Sequence, residues 1–188
     1  MSTITIMPSK ETALLELFFN QPKYWHFEEL RALVKIGKPQ LARWLKVFEK
    51  EDLIKRIKEK CRMPYYVQDF ENPKFRNRKK LFAWQQLFDS GLLSHLSSLE
   101  KAKAVIIFGS FTRSDWSKES DIDIFIYGDD SKLQQGKYEL KLNREIQVHQ
   151  AQNTKDLKKM EKMLPYLLSG IFIKGNVQDL GVKISAKA

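Results

Sequence analysis

Two short apolar runs in the second half of the chain constrain its fold more than any other feature. The runs are Ala104–Phe108 and Asp121–Tyr127, and the second opens with two aspartates. Each has the length of a buried β-strand and falls far short of the roughly 18 apolar residues that span a bilayer. Gly109 and Ser110 follow the first run, and a polar turn at Ser117–Ser120 precedes the second. The pattern predicts a small sheet with polar groups collected at one end.

Asp121 and Asp123 lie on one face of the second predicted strand because a strand has a period of two. Ile122 and Ile124 fall on the other face and can enter the core. Two carboxylates side by side repel, and each raises the pKa of the other. A divalent cation offsets this repulsion, and all-oxygen ligands select Mg²⁺ or Mn²⁺. The pair therefore predicts a metal site, and the alternative is a pair of solvent-facing strand ends.

Gly109 and Ser110 supply the complementary half of the predicted site. A glycine after a strand lets the backbone approach a ligand closely, and a serine that opens a helix offers a hydroxyl and N–H groups to an anion. Arg113 lies one turn further on and adds positive charge. Anion donors beside metal-binding carboxylates are what phosphoryl or nucleotidyl transfer requires.

The spacing of these residues resembles a known signature. Gly109-Ser110, ten further residues and then Asp121-Ile122-Asp123 are similar to the motif of the DNA polymerase β-type nucleotidyltransferase superfamily. The short domain most resembles the minimal nucleotidyltransferases, small prokaryotic proteins that occur alone or paired with HEPN-type toxins. The resemblance implies an NTP substrate, with ATP as the first candidate, and Mg²⁺ or Mn²⁺ as cofactor. It also implies transfer of NMP to an acceptor hydroxyl that the sequence does not identify, with Asp121 and Asp123 as catalytic residues.

The family usually adds a third carboxylate from a following strand, predicted here at Tyr138–His149. The best register places Gln147 at that position, and Glu145 lies two residues earlier on the same face. Glutamine cannot act as a general base. Two hypotheses therefore stay open: an enzyme in which Glu145 substitutes, or a DNA-binding regulator or antitoxin whose transferase fold is inactive or only senses nucleotide. Arg144 and His149 share the R-x4-H spacing of HEPN ribonucleases, but on a strand pattern, so we treat it as chance.

Positive charge is concentrated in the first half of the chain. The net charge is +10, and residues 1–80 contribute +8 of it. The excess falls between Lys35 and Lys80, which suggests a polyanionic partner such as nucleic acid. A solubilising surface is the alternative.

The same half has a helix-turn-helix pattern. Helical periodicity predicts helices at Lys10–Asn20, 27–34 and Lys38–Lys50, and alternation predicts strands at 53–58 and 64–67. Three helices and a basic hairpin, over roughly residues 8–70, resemble a winged helix-turn-helix domain. The resemblance implies DNA contacts by basic residues of the third helix and the hairpin. These residues are Lys38, Arg43, Lys46, Lys50, Lys55, Arg56 and Lys58. A protein-docking module and a surface that holds RNA as the acceptor are the alternatives.

The predicted fold class is α+β, with a winged helix-turn-helix followed by a small mixed-sheet nucleotidyltransferase-type domain. We predict the winged helix at 1–72, a basic linker and bridging helix at 73–100, and the nucleotidyltransferase-like domain at 101–188. Within the last, a helix capped by Thr154 is predicted to Leu168, followed by a short strand and a loose tail from Gly181. A single cysteine, Cys61, and the lack of a signal-peptide pattern favour a cytoplasmic protein with no membrane segment. A HEPN-type partner or a homodimer would fit the resemblance.

Overall fold

The structure is a computed structural model that describes residues 9–181. The chain divides into two compact units, residues 1–79 and residues 80–188. The predicted tail, beyond Gly181, lies outside the described residues. No helix within residues 9–181 combines the length and the apolar character needed to cross a bilayer.

In its described part, from residue 9 onward, the first unit contains three complete helices, the start of a fourth, and a three-stranded antiparallel sheet of order β1-β3-β2. Its elements are α1 (Lys10–Asn20), β1 (Trp25–His26), α2 (Phe27–Val34), α3 (Lys38–Lys50), β2 (Ile54–Ile57) and β3 (Tyr65–Gln68). The three helices and the hairpin match the periodicity, whereas the two-residue β1 was too short to leave a pattern. Leucine and phenylalanine side chains of the helices form the core, among them Leu14, Phe18, Leu30, Leu41, Leu45 and Phe48.

Local signals in the sequence explain where these helices begin and end. Ser9 caps α1, since the backbone N–H of Thr12 donates to its Oγ at 3.1 Å. Lys35 takes the left-handed conformation that ends α2. Pro39 lies in the first turn of α3, where a missing N–H breaks no hydrogen bond.

The segment predicted as a basic linker is helical. Helix α4 (Pro73–Ser90) begins at Pro73, and the Asn72 side chain accepts a hydrogen bond from the backbone N–H of Lys74 at 3.0 Å. Proline suits a first helical position, and the basic residues that follow are good helix formers. The division between the two units falls inside this helix. Gly91, at φ +81°, separates α4 from α5 (Leu92–Ser97), so the predicted bridging helix is two helices.

The second unit is built on a four-stranded mixed sheet of order β6-β5-β4-β7. Its strands are β4 (Ala102–Phe108), β5 (Ile122–Gly128), β6 (Ile146–Ala151) and β7 (Ile171–Lys174). Strand β4 pairs antiparallel with β5 and β7, while β5 and β6 are parallel. Helix α6 (Ser110–Arg113) follows Gly109 directly. This mixed α and β arrangement agrees with the predicted fold class for this half.

The predicted strand Tyr138–His149 is wrong in its first part. Residues Gln135–Leu142 form helix α7, in which the Tyr138 side chain is buried. Asn143 ends the helix in the left-handed conformation before β6 begins. The reason is topological, because two parallel strands need a crossover connection and that connection is usually a helix.

The predicted helix Thr154–Leu168 is interrupted. It consists of α8 (Thr154–Lys159), a 3-10 turn (Glu161–Met163) and α9 (Leu164–Leu168). Asn153, not Thr154, caps α8, since its side chain accepts from the backbone N–H groups of Lys155 and Asp156. Pro165 explains the break because proline removes a helical hydrogen bond. Helices α8 and α9 contribute Leu157 and Leu167 to a core that covers one face of the sheet.

Candidate active site

The two halves of the sequence motif meet at one end of the sheet. Phe108, the last residue of β4, pairs with Asp123 of β5, so Gly109 lies beside the Asp123 side chain. A Cβ atom at position 109 would overlap Asp123 Oδ2 and lie 2.9 Å from its Cγ. Gly109 has φ +73° and ψ −150°, a region that only glycine adopts readily. Close approach and backbone conformation therefore both require glycine here.

Ser110 and Arg113 lie at the two ends of the short helix α6. Ser110 is half-buried, while Thr112 Oγ1 donates a hydrogen bond to the Gly109 carbonyl at 2.9 Å and fixes the turn. The Arg113 Nε donates to Asp115 Oδ2 at 3.0 Å, and both side chains are exposed. Arg113 nevertheless acts on the site electrostatically, since its charge is one of the influences on the pKa of Asp123.

Burial of Asp123 raises the pKa of its carboxyl group. Desolvation is the main cause, and the neighbouring Asp121 carboxylate raises the pKa further. His149 and Arg113 act in the opposite direction and lower it, without cancelling the effect of burial. The apo site therefore disfavours the charge on Asp123, which a bound cation would stabilise.

Strand β6 brings two further polar side chains to this face of the sheet. Gln147 pairs with Asp123 in the parallel register, and His149 lies two residues further along the same face. The His149 Nε2 is 4.0 Å from Asp123 Oδ1, and its ring lies 5.5 Å from that of Phe108. The sequence reasoning missed His149 because it weighed only the R-x4-H spacing. Its even spacing from Gln147 was the signal that could have found it.

Glu145 lies just before β6 rather than within it. Its carbonyl accepts a hydrogen bond from the Ile122 backbone N–H at 2.9 Å, and its side chain is exposed. Over residues 9–181, no group of three or more His, Cys, Asp or Glu side chains is arranged to hold a metal ion. The candidate site thus combines two carboxylates with an amide and an imidazole.

This donor set fits a hard divalent cation. Asp121 and Asp123 offer carboxylate oxygens, and Gln147, which pairs with Asp123 in the β5–β6 register, carries an amide oxygen. Magnesium commonly uses one or two protein carboxylates and takes its remaining ligands from water and substrate phosphates. Two carboxylates are therefore sufficient on the protein side.

The predicted DNA-contact residues are all exposed in the first unit. Arg43, Lys46 and Lys50 lie on the outer face of α3, opposite its buried leucines. Lys38 forms an ion pair with Glu28 at 3.2 Å, and Lys55 forms one with Asp69 at 2.7 Å.

The comparison with protein families bears on the second unit. Residues 92–177 match the family described as Polymerase beta, Nucleotidyltransferase. The matched range, hereafter the nucleotidyltransferase segment, contains both halves of the motif and strand β6. The match supports membership of the nucleotidyltransferase superfamily for this segment and a function of nucleotidyltransferase type. No curated protein and no solved structure matches the chain.

Proposed function

We propose that the chain is a Mg²⁺-dependent nucleotidyltransferase that moves NMP from an NTP, ATP first among the candidates, to an acceptor hydroxyl. The observation that carries the proposal is the contact between Gly109 and the Asp123 carboxylate. The contact brings the turn that would bind the phosphates next to the carboxylate that would bind the cation, which supports transfer from a metal-bound triphosphate.

Seven residues at or near the site have a proposed role. Asp121 and Asp123 hold the cation, and Gln147, which pairs with Asp123 in the strand register, offers it an amide oxygen. The backbone of Gly109, the hydroxyl of Ser110 and the guanidinium of Arg113 bind phosphate oxygens. A bound cation would neutralise charge that develops on the triphosphate. Glu145 is the proposed acceptor of the hydroxyl proton.

We also propose that the first unit is a winged helix that binds DNA. Support comes from its three helices, the β2–β3 hairpin and the exposed basic face of α3. Residues 35–80, with the excess positive charge, would form the nucleic-acid surface. A cytoplasmic location, a HEPN-type partner and a homodimer belong to the same proposal through the family resemblance.

Binding and transfer of nucleotide test the enzymatic proposal. ATP binding with Mg²⁺ is measured by calorimetry, and transfer is followed with α-labelled ATP, with total RNA and with cell protein offered as acceptors. Asp121→Asn and Asp123→Asn should each abolish both signals. Asp129→Asn is the matched control because Asp129 is a partly exposed carboxylate just past the opposite end of β5. Equal signals from the wild type and both site variants would refute the metal site.

A second candidate is a DNA-binding regulator or antitoxin whose transferase site is inactive. The observation that favours it is Gln147, which faces Asp123 where the family pattern expects a carboxylate. Gln147→Glu distinguishes the two. Transfer by the wild-type protein supports the enzyme. Turnover that appears only in Gln147→Glu, together with duplex DNA binding by the wild type, supports the regulator.

A further inference from the structure

Arg144 connects the two halves of the candidate active site. Its Nη1 donates to the carbonyls of Ser117, Lys118 and Ser120, at 2.6, 3.0 and 3.0 Å. These carbonyls belong to the turn that leads directly into Asp121. One guanidinium therefore holds three backbone carbonyls of the turn that precedes the aspartate pair.

The same guanidinium also lies over two aromatic rings. Its Cζ is 5.2 Å from the ring centroid of Phe111 and 5.0 Å from that of Trp116. The two rings stack on each other at 5.4 Å, and both residues are at most 2% exposed. Phe111 directly follows Ser110 in α6, so Arg144 contacts the segment proposed to bind phosphate through Phe111. Through the turn at 117–120, Arg144 also contacts the backbone that leads into Asp121.

We propose that Arg144 is a positioning residue that holds Ser110 and Asp121 in a fixed relation, so that cation and triphosphate bind together. The inference rests on the proposed nucleotidyltransferase function. It requires arginine, because only a planar guanidinium both stacks on aromatic rings and donates several hydrogen bonds from a fixed fork. It also gives Arg144 a role that has nothing to do with the R-x4-H spacing.

Arg144→Met tests this role because methionine keeps the long apolar stem over the rings and removes every donor. We expect amide hydrogen exchange over residues 117–121 to be at least about tenfold faster. We expect ATP and Mn²⁺ to bind at least about tenfold more weakly, by calorimetry and by electron paramagnetic resonance. Arg144→Lys should restore part of the binding. Lys141→Ala is the control, since Lys141 also donates to a carbonyl, that of Ser90, and lies over the Tyr138 ring.

Each alternative result has a distinct meaning. Unchanged exchange over 117–121 in Arg144→Met would overturn the positioning role, and so would faster exchange with undiminished ligand binding. A wild-type protein that binds neither ATP nor Mn²⁺ would refute the proposed function and the role that rests on it. The exchange rates would then still report whether Arg144 orders the turn.

A separate observation concerns the first unit, where aromatic residues line an open cavity of about 470 Å³ beside the β2–β3 hairpin. Tyr24 and Met63 are 68% and 79% exposed, unusually high values for such apolar side chains. The rings of Tyr24 and Tyr65 meet edge to face at 4.9 Å. His26, Glu59 and Arg62 complete the lining.

We infer that this cavity, the hairpin cavity, binds an unstacked base of single-stranded nucleic acid. Its aromatic rings offer stacking surfaces, and stacking tolerates any base because every base has a π-face. Glu59 accepts hydrogen bonds from Arg62 Nη1 at 2.9 Å and from the Tyr65 hydroxyl at 3.1 Å. The negative charge of Glu59 and the positive charge of Arg62 therefore balance each other in the cavity lining. The exposed Lys58 and Lys60 of the same hairpin suit the adjoining phosphates.

The test compares a labelled 15-nucleotide thymidine strand with a blunt 15-base-pair duplex, by fluorescence anisotropy at fixed salt. Tyr24→Ala and Met63→Ala should each weaken single-strand binding by about fivefold or more and leave duplex binding within about twofold. Both side chains are exposed, so the fold should tolerate their loss. Leu33→Ala, an exposed apolar residue of α2 that does not line the cavity, is the control. If Tyr24→Ala and Met63→Ala weakened binding of the single strand and of the duplex equally, or weakened neither, the inference would be overturned.

Discussion

Replacement of Gly109 by alanine is the most direct test of the geometry at the candidate active site. The new Cβ would overlap Asp123 Oδ2 and lie 2.9 Å from Cγ and 3.2 Å from Cβ of the same residue. The carboxylate would have to move by roughly 1 Å, and a misplacement of that size reduces activity by about 100-fold. The backbone conformation adds strain of about 1–3 kcal/mol, because φ +73° with ψ −150° is essentially restricted to glycine.

Two other glycines separate these effects. Gly91 has φ +81°, and a Cβ added there would have no atom within 4 Å, so Gly91→Ala should lower the free energy of unfolding by about 1–2 kcal/mol and leave nucleotide binding intact. Gly136 lies in α7 without a positive φ and with open space around it. Gly136→Ala should leave binding unchanged and raise the free energy of unfolding by about 0.5–1 kcal/mol.

Urea unfolding gives the free energies, and calorimetry with ATP and Mg²⁺ gives the affinities. Gly109→Ala should have a lower free energy of unfolding than the wild type and should bind ATP at least about tenfold more weakly. Gly91→Ala should have the lower free energy of unfolding but the affinity of the wild type. If Gly109→Ala bound ATP as tightly as Gly91→Ala does, the contact between position 109 and Asp123 would have no part in nucleotide binding. The reasoning would then be refuted even if both variants were equally destabilised.

Other predictions follow from the same contacts. Because burial raises the pKa of Asp123, the folded protein binds more protons than the unfolded chain between the ordinary and the raised pKa, so stability falls as pH rises through that interval. Urea unfolding in EDTA at several pH values tests this. Asp123→Asn should lose the decrease in stability with rising pH and should be more stable than the wild type at pH 7. If the variant and the wild type had the same pH profile, the prediction would be contradicted. Arg43→Ala and Lys46→Ala should each weaken duplex binding and lower the salt slope by about 1, with Lys132→Ala as a control from the other unit. Unchanged slopes would remove α3 from the nucleic-acid interface. Adding Mg²⁺ with ATP should raise the melting temperature of the wild type and not of Asp121→Asn, by differential scanning fluorimetry.

What could be predicted from the sequence was set by local signals. Strands β4 and β5 contain the apolar residues Ala104–Phe108 and Ile124–Tyr127, and the Gly-Ser turn and the aspartate pair lie at one end of them, so short-range pattern was enough. The helices of the first unit have 3.6-residue periodicity, and Ser9 caps α1 while Pro39 lies in the first turn of α3. These strands, helices and turns depend on residues within a few positions of one another in the sequence, and the structure contains each of them.

Other errors occurred where long-range pairing decides the structure. Residues 138–142 alternate between apolar and polar side chains, which suggests a strand. Because β6 runs parallel to β5, however, the chain must cross over between them, and these residues form part of helix α7 in that crossover. The position of His149 beside Asp123 likewise depends on the β5–β6 register, which no local pattern specifies. Arg144 has three carbonyl partners 24 to 27 residues away in sequence, and hydrogen bonds to backbone leave no trace in residue type.

Gln147, at the position where the family pattern expects a third carboxylate, predicts that the proposed cation and nucleotide bind together. A third acid beside Asp121 and Asp123 would increase repulsion in the apo site and strengthen binding of a bare cation. With two carboxylates, one of them half-buried and with a raised pKa, the protein alone offers few ligands of sufficient charge. In the proposed complex the triphosphate would supply the missing oxygens, so cation and nucleotide should bind together. This coupling suits an enzyme that must not hold metal without substrate, and it equally suits a sensor that responds only to the metal–nucleotide complex.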